Sequence, residues 1–509
     1  MPGCDSGGSP TFVTPIERPQ LTGDEVQTLI ARAVEQAERQ NTAAVIAVSD
    51  REANILGVFR MTGSAGSAED PTFGAIAKAR TAAYLSSNQH GFTSLTACFI
   101  TRSHFPPGID NTAGGPLYGV PFSSLGGGDV QPNGGAVLPG RIGNGEPGLT
   151  GVSGGLPVFK DGLLAGALGV STFADLAGLP DNFLSTCSGS SKDELIALGA
   201  AGDFSVPKDK RGDNIFLDGI RLLFANARPP AGNFTLTFAD LTSRGEVEVN
   251  YPIRAAPEPR FPVEGEVNLM AGFDFTIKGN DFLSAQEVRQ IIDQAVEQAN
   301  KTRAAIRRPI GTPARVFVTV VDKNGTILGI WRTRDATLFS YDVSAQKART
   351  VVAFSDPNTI YGQQVRRALG LPENQEIAFT CRALGFVSQR FFPPGIDVER
   401  LGRPLQLGPF FIDSAIPFFD FERQAQIGLG QPPLGNGITI FPGAVALYKN
   451  GELVGGVGVS GDGVDQDDII AFAGGVGFEP AQEIRCDQFF VDGIRLPYVK
   501  FPRRPEIEQ

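Results

Sequence analysis

The six residues FPPGID occur twice in the chain, at 105–110 and at 392–397. Used as an anchor, this pair aligns the two halves of the 509-residue sequence in matching blocks that follow the same order. A duplication of this length predicts two copies of one fold rather than a single large core. We interpret FPPGID itself as a rigid turn of the scaffold, because proline fixes φ and glycine adopts conformations that other residues avoid.

Each copy begins with an amphipathic helix pattern, LTGDEVQTLIARAVEQAERQ from Leu21 and LSAQEVRQIIDQAVEQANKT from Leu283. In both, a Thr or Ser is followed three residues later by Glu, which is typical of a capping box. Two hairpin patterns follow, and a helix pattern that contains the letters KART lies between them. Because hairpins joined through helices give antiparallel strand pairs, the blocks predict an α+β fold: an antiparallel sheet with packed helices.

The repeats also predict the domain boundaries. We expect a flexible N-terminus over 1–20, a first domain over 21–225, a connector over 226–282, a second domain over 283–500 and a tail over 501–509. The connector is rich in proline, but its segments FTLTFADL, EVEVNYPI and GEVNLMAGFDFTI alternate as short strands do. We therefore expect it to brace the two domains.

The overall charge argues against one class of partner. The net charge is −11 and the isoelectric point is near 5.0, whereas proteins that bind a phosphate backbone normally carry a concentrated basic face. We therefore expect no nucleic-acid partner. The sequence also has no run of about 18 apolar residues, so no transmembrane segment is predicted.

The cysteines point to the compartment. The start, MPGCDSGGSP, resembles a bacterial lipoprotein cleavage site with Cys4 as the lipid-bearing residue; a flexible terminus whose cysteine has no role is the alternative. The other cysteines fall two in each half, which predicts one disulfide per domain in an exported protein. Buried free thiols in a reducing compartment are the competing interpretation. The disulfide candidates are Cys98, Cys187, Cys381 and Cys486.

These blocks together resemble the GlcG/HbpS-like haem-binding family, sometimes called haem-degrading. The resemblance is clearest in LYKNGELVGGVGVSGDGVDQDDIIAFAG, from Leu447 to Gly474, and the first half matches it in KARTAA and in the RMTG segment from Arg60. It implies two tandem profilin-like α/β sandwich domains and haem, or a related small molecule, as the ligand. Through the family's association with glycolate metabolism, it also suggests an enzyme that acts on small hydroxy- or oxo-acids.

Haem iron is usually held by His, Met, Cys or Tyr. The chain has two histidines, His90 and His104, and both lie in the first half. His104 directly precedes FPPGID, but Phe391 stands at the matching position of the second half. Histidine ligation would therefore operate in the first half alone. Met61 offers no repeated ligand either, because Thr333 takes its place.

Cationic side chains at a pocket mouth would attract a haem propionate or another small carboxylate. A solvated or salt-bridging helix face is the alternative for the lysines of the KART blocks. The predicted ligand-binding residues are Arg60, Lys78, His104, Arg332 and Lys347.

The acidic run that follows the last hairpin pattern of the second half has two interpretations. Clustered carboxylates on a glycine-containing loop suit a hard cation, which makes Asp465, Asp467 and Asp468 the metal candidates. The same carboxylates lie where a strand gives way to a helix, so capping of the first helical turn is the alternative.

Catalytic motifs are missing from the sequence. Two histidines cannot supply a repeated Ser/His/Asp triad, and neither a Gly-x-Ser-x-Gly elbow nor a Gly-x-x-x-x-Gly-Lys-Ser/Thr loop occurs. We therefore expect an exported, lipid-anchored, non-catalytic protein that binds haem or a related small ligand. The alternative is a structural or accessory module that docks to a partner subunit, or forms a homo-oligomer, without a ligand.

Overall fold

A computed structural model describes residues 18–64, 71–101, 105–107, 109, 112, 115–117, 149–172, 187, 191–226, 228–229, 233–268, 275–387, 432–491 and 493–500. The predictions for Cys4, for His104 and for the second FPPGID segment lie outside the described residues.

The described elements follow the repeat. The first half contains α1 (Gly23–Arg39), β1 (Val45–Asp50), β2 (Ile55–Met61), α2 (Pro71–Tyr84), α3 (Ser94–Ile100), β3 (Gly155–Lys160), β4 (Leu163–Ser171), α4 (Lys192–Ala201), β5 (Phe216–Leu217) and β6 (Ile220–Arg221). The connector supplies β7 (Gly245–Val247) and β8 (Gly265–Glu266). The second half contains α5 (Ala285–Lys301), β9 (Val316–Asp322), β10 (Ile327–Arg332), α6 (Ser340–Ser355), α7 (Ile360–Ala368), α8 (Cys381–Val387), β11 (Ala444–Lys449), β12 (Glu452–Gly461), α9 (Val464–Gly474), β13 (Phe490–Val491) and β14 (Ile494–Arg495).

The opening helices begin where the capping signal predicts. The Thr22 side chain accepts the backbone N–H of Glu25 at 3.2 Å, and the Glu25 carboxylate accepts the Thr22 N–H at 2.8 Å. Ser284 and Glu287 make the same reciprocal pair at the start of α5. Each pair satisfies two backbone donors that a helix start leaves open.

Each half forms one five-stranded sheet, in the order β3-β4-β1-β2-β7 and β11-β12-β9-β10-β8, and all neighbouring strands are antiparallel. The turns of the β3–β4 and β11–β12 hairpins place both central residues at positive φ, at Asp161-Gly162 and Asn450-Gly451. Such turns match the right-handed twist of the strands they join. The α+β prediction is confirmed.

The sheet of each half is covered on both faces. In β9, Val316, Val318 and Val320 pack with α5 and α9, whereas Phe317 and Val321 face α6. The side chains of β1 divide in the same way. One set packs with α1 and α4, and the alternate set packs with α2. Alternating side chains thus reach two cores, which explains why these strands are buried along their whole length.

The connector completes both sheets. Strand β7 pairs with β2, and β8 pairs with β10, so each sheet gains its edge strand from this segment. The predicted strand in FTLTFADL is wrong, because Phe238–Ser243 forms a 3-10 helix. Asp240 accepts the backbone N–H of Thr237 at 2.8 Å, and this local bond favours a helical turn over a strand.

The first FPPGID segment packs as part of the scaffold, as far as it is described. Phe105 is buried, and its ring lies 5.5 Å from that of Phe99 in an edge-to-face contact. The backbone N–H of Ile109 donates to the Pro106 carbonyl at 3.3 Å. Across the described ranges, no helix combines the length and the apolar character needed to cross a bilayer.

Candidate functional site

The KART lysines form buried ion pairs at matching positions. Lys78 on α2 pairs with Asp193 in the first turn of α4, and its Nζ donates to the Val170 carbonyl at 3.0 Å. Lys347 on α6 pairs with Asp467 on α9 at 2.9 Å and donates to the corresponding strand carbonyl at 2.8 Å. Both lysines are at least 96% buried. They therefore lie inside the fold in ion pairs rather than at a pocket mouth.

A glycine packs against each of these two ion pairs. Gly154 (φ +111°) and Gly443 (φ +119°) lie beside the two ion pairs in conformations that favour glycine. A Cβ at either position would lie 2.6 Å from the Cβ of the paired aspartate and within 2.8 Å of a strand carbonyl. The Lys–Asp–Gly arrangement is thus a tightly packed unit that occurs once in each half.

The acidic run of the second half binds cationic side chains. Arg382 pairs with Asp468 and, at 2.6 Å, with Asp465, whose other oxygen lies 2.7 Å from the Nζ of Lys500. Burial raises the pKa of Asp467 to about 7, against the attraction of Lys347. Within the described ranges, no group of three or more His, Cys, Asp or Glu side chains is placed to hold a metal ion. Nor does a side chain cap α9, which begins after a glycine.

The two hairpin arginines differ between the halves. Arg60 pairs with Glu248 of the connector at 2.6 Å and donates to the Thr72 hydroxyl at 2.6 Å. Arg332 is buried over the ring of Phe317 and donates to the carbonyl of Ala336 at 2.6 Å. Burial lowers the pKa of Arg332 to about 9. The predicted cationic residues in the described part of the chain therefore have separate partners and do not line one shared pocket.

A buried polar cluster joins the two halves. Arg307 is fully buried and pairs with Asp462 and, at 3.3 Å, with Asp335 in its own half. Its Nη1 also donates across the junction to the Ser87 hydroxyl at 3.1 Å and to the Gln89 side chain at 2.9 Å. We call these five residues the junction cluster.

Charge in the junction cluster is balanced by close contacts. Burial alone would raise the pKa of Asp335, but Arg307, the backbone N–H of Asn88 and Arg51 hold that pKa below its usual value. Burial raises the pKa of Asp462 even though Arg307 and Arg315 oppose the change. The buried guanidinium of Arg307 therefore orders groups from both halves around it.

The family model for haem-degrading HbpS-like proteins matches residues 21–175 and 283–475, which together are more than half of the chain. The matched segments contain every residue of the two Lys–Asp–Gly arrangements except Asp193. The chain belongs to the HbpS-like family. The two matched segments are the two halves of the duplication, so this chain carries two tandem HbpS-like units.

Several solved structures are similar to parts of this HbpS-like chain. They include a PduOC–haem complex (23% identity, 39% of this chain and 96% of that chain, TM-score 0.24), Klebsiella pneumoniae protein ORFY (21%, 38% and 99%, 0.24) and HbpS (20%, 41% and 99%, 0.22). No match was found among curated proteins.

His90 does not fit the role of an axial haem ligand. Its Nε2 donates to the Leu85 carbonyl at 3.0 Å, and its Nδ1 lies 3.0 Å from the Ser87 hydroxyl, so both ring nitrogens have partners. Burial, with the nearby charge of Arg307, lowers the pKa of His90 to about 3. His90 is therefore a neutral core residue of this HbpS-like unit. The prediction for His104 stays a prediction.

The cysteines behave differently in the two units. Cys98 and Cys187 form a disulfide. The expected second disulfide is wrong, since Cys381 and Cys486 are free buried thiols. Cys381 lies within 3.5 Å of the backbone carbonyls of α6 and of Thr439, whereas Cys486 lies 3.2 Å from the Pro497 carbonyl. Burial raises the pKa of Cys486 to about 12, which leaves the thiol protonated and unreactive.

Sequence reasoning missed the junction cluster and two buried arginines. Arg307 lies in a second-half segment, 303–313, with no counterpart in the first half, so the repeat gave no signal for it. Arg349 of the second KART block donates to Asn436 of the Gly-Asn-Gly turn at 2.7 Å. Arg366 donates to four backbone carbonyls within 3.0 Å. The occurrence of both KART and Gly-Asn-Gly in each half was a usable signal for the contact between Arg349 and Asn436.

Proposed function

We propose that this chain is a non-catalytic binding protein for haem or a related small ligand, built from two HbpS-like units. The observation that carries the proposal is that the family model matches both halves. The KART lysines and their aspartates favour a non-catalytic role, because they are buried in ion pairs and do not reach a substrate. A catalytic base or nucleophile would need to contact a substrate.

The disulfide supports export, because such bonds persist in oxidising compartments. We include lipid attachment at Cys4 in the proposal, and mass spectrometry of the N-terminal peptide from native protein tests it. An unmodified Cys4 in membrane-free native protein would overturn the anchor and leave the binding proposal intact.

A haem titration tests the ligand. We expect micromolar haem to give a shifted Soret band with the wild-type protein, and His104→Ala to weaken the shift strongly. Phe391→Ala, the matched change in the second unit, should leave the band unchanged. His90→Gln should also leave it unchanged, because both nitrogens of His90 are already bonded. A wild-type protein that gives no shift would remove haem from the proposal.

A second candidate is a structural or accessory module without a ligand. The junction cluster favours it, because it joins the two units through buried contacts as an oligomer interface would. Size-exclusion chromatography with light scattering distinguishes the candidates. A strict monomer that captures no partner from its native source would count against the structural module.

A further inference from the structure

Both halves end in a short hairpin that carries the same Arg–Asp–Arg arrangement. In the second half, Nε and Nη2 of Arg485 donate to the Asp487 carboxylate at 3.1 and 2.9 Å. Arg495 donates to the same carboxylate at 3.1 Å and to the Asp487 backbone carbonyl at 2.6 Å. The residues of this hairpin lie beyond the segments that the family model matches.

The arrangement leaves positive charge and donors unused. Two guanidinium groups share one carboxylate, so Arg485, Asp487 and Arg495 together carry one net positive charge. Every hydrogen bond described for the two arginines uses Nε or Nη2, and so the Nη1 donors have no partner among the described residues. The Arg495 side chain is 58% exposed and that of Arg485 is 31% exposed, so a dissolved anion can reach both.

These arginines line a cleft of about 310 Å³. Its remaining wall is largely apolar and includes Phe386, Leu496, Pro497 and Tyr498. The Arg485 guanidinium lies over the Tyr498 ring, 4.3 Å from its centroid, and this contact orients the plane of the guanidinium group. A cleft of this size with an apolar wall and a few converging polar groups is typical of a small-molecule site.

We propose that this cleft binds a small carboxylate with an apolar or aromatic body. The carboxylate accepts hydrogen bonds from the unused donors of Arg485 and Arg495, and the apolar body lies against Phe386 and Tyr498. Guanidinium groups suit this ligand because their planar donors match the planar carboxylate. The site goes beyond the proposed haem function and does not depend on it.

The first half supplies a matched comparison. Arg211, Asp213 and Arg221 repeat the arrangement, with Arg221–Asp213 at 3.0 Å. The counterpart of Phe386 is Phe99, which is 8% exposed and packs against Phe105 of FPPGID. Phe386 is partly exposed beside its arginine pair. The aromatic residue of the apolar wall is thus partly exposed in the second half and buried in the first.

Isothermal titration of the full chain with phenylacetate tests the site. We expect saturable binding to the wild-type protein and none to the neutral analogue phenylacetamide. Arg495→Gln should weaken phenylacetate binding by roughly tenfold or more, since it removes a charge-assisted hydrogen bond. Because Arg495 is exposed, the variant should fold, and circular dichroism checks this. Asp487→Asn should tighten binding, because it removes the competing negative charge.

The matched control is Arg221→Gln in the first half, which should leave the affinity unchanged. Equal binding of phenylacetate and phenylacetamide would overturn the proposal, as would an Arg221→Gln variant that weakens binding as much as Arg495→Gln. Absence of saturable phenylacetate binding to the wild-type protein would also overturn it. None of these results depends on a Soret shift, so this site and the haem proposal fail separately.

Discussion

At the scale of single residues, the KART lysines show how this fold keeps charge inside. Each lysine is neutralised by an aspartate that lies more than 100 residues away in sequence, at Asp193 or Asp467. Taking two charges out of water is costly, and close pairing with additional hydrogen bonds offsets much of that cost. Removing one partner is therefore expected to harm the fold far more than removing the cation of a surface pair.

Lys347→Met should lower the free energy of unfolding by about 3–5 kcal/mol at pH 8, because it leaves the carboxylate of Asp467 buried without its cation. Urea denaturation measures the loss. The loss should shrink as the pH falls, since protonation neutralises a carboxyl whose pKa is already raised to about 7 in the folded protein. Lys301→Met, which breaks an exposed pair with Glu297, is the control and should cause little change. Equal losses for both variants would contradict this interpretation.

His90 makes the fold sensitive to acid. Its pKa is lowered to about 3 in the folded protein and is near 6.5 when exposed, so the unfolded chain takes up the proton first as the pH falls. The contribution to stability is complete above about pH 6.5 and should decrease by about 2 kcal/mol by pH 5. Buried Asp50, whose pKa is raised to about 6, acts in the opposite direction. The difference between wild-type protein and His90→Gln isolates the histidine, and parallel stability–pH curves would contradict the prediction.

At the scale of elements, the capping and turn signals predicted their elements correctly, whereas the local pattern of FTLTFADL and the pairing of distant segments did not. The capping boxes of α1 and α5 and the hairpin turns depend on residues within a few positions, so the sequence predicts them. The sequence did not predict that the connector strands β7 and β8 form the edges of the two sheets, and only the three-dimensional structure shows these pairings. The burial of Lys78 and Lys347 was missed for the same reason, because a lysine two residues before an arginine on a helix also suits a solvated face.

The glycine beside the Lys347–Asp467 pair tests the packing of α9 on its strand. Gly443→Ala combines a positive φ with a Cβ only 2.6 Å from the Asp467 side chain and the Val459 carbonyl. Gly451→Ala has a positive φ but meets nothing within 4 Å. We expect Gly451→Ala to cost about 1 kcal/mol and Gly443→Ala clearly more, as measured by urea denaturation. Equal costs would mean that α9 does not lie as close as described.

At the scale of the whole molecule, the two units are in direct contact and are not separated by a linker. The connector gives a strand to each sheet, and Arg307 binds groups of both halves in a buried junction. An apolar cluster also crosses between the halves, since Ile306 and Phe339 pack with Leu85 and Phe92. The duplication therefore yields a joined pair in which one chain supplies both sides of an interface.

Arg307→Met should uncouple the units. It leaves Asp462 and Asp335 buried without this cation, which costs about 3–5 kcal/mol for a broken buried pair. Calorimetry should show one unfolding transition for the wild-type protein and a lower or divided transition for the variant. Arg303→Met, at an exposed position of the same segment, is the control. An unchanged transition in Arg307→Met would show that the junction cluster does not hold the units together.

The account rests on a duplicated binding scaffold whose second unit lacks a histidine at the position of His104. The visible spectrum and iron content of protein purified from its native source test this most directly. We expect a Soret band and no more than one haem iron per chain, since a single unit carries the candidate ligand. A colourless, iron-free protein would contradict the haem-binding account and favour the structural module.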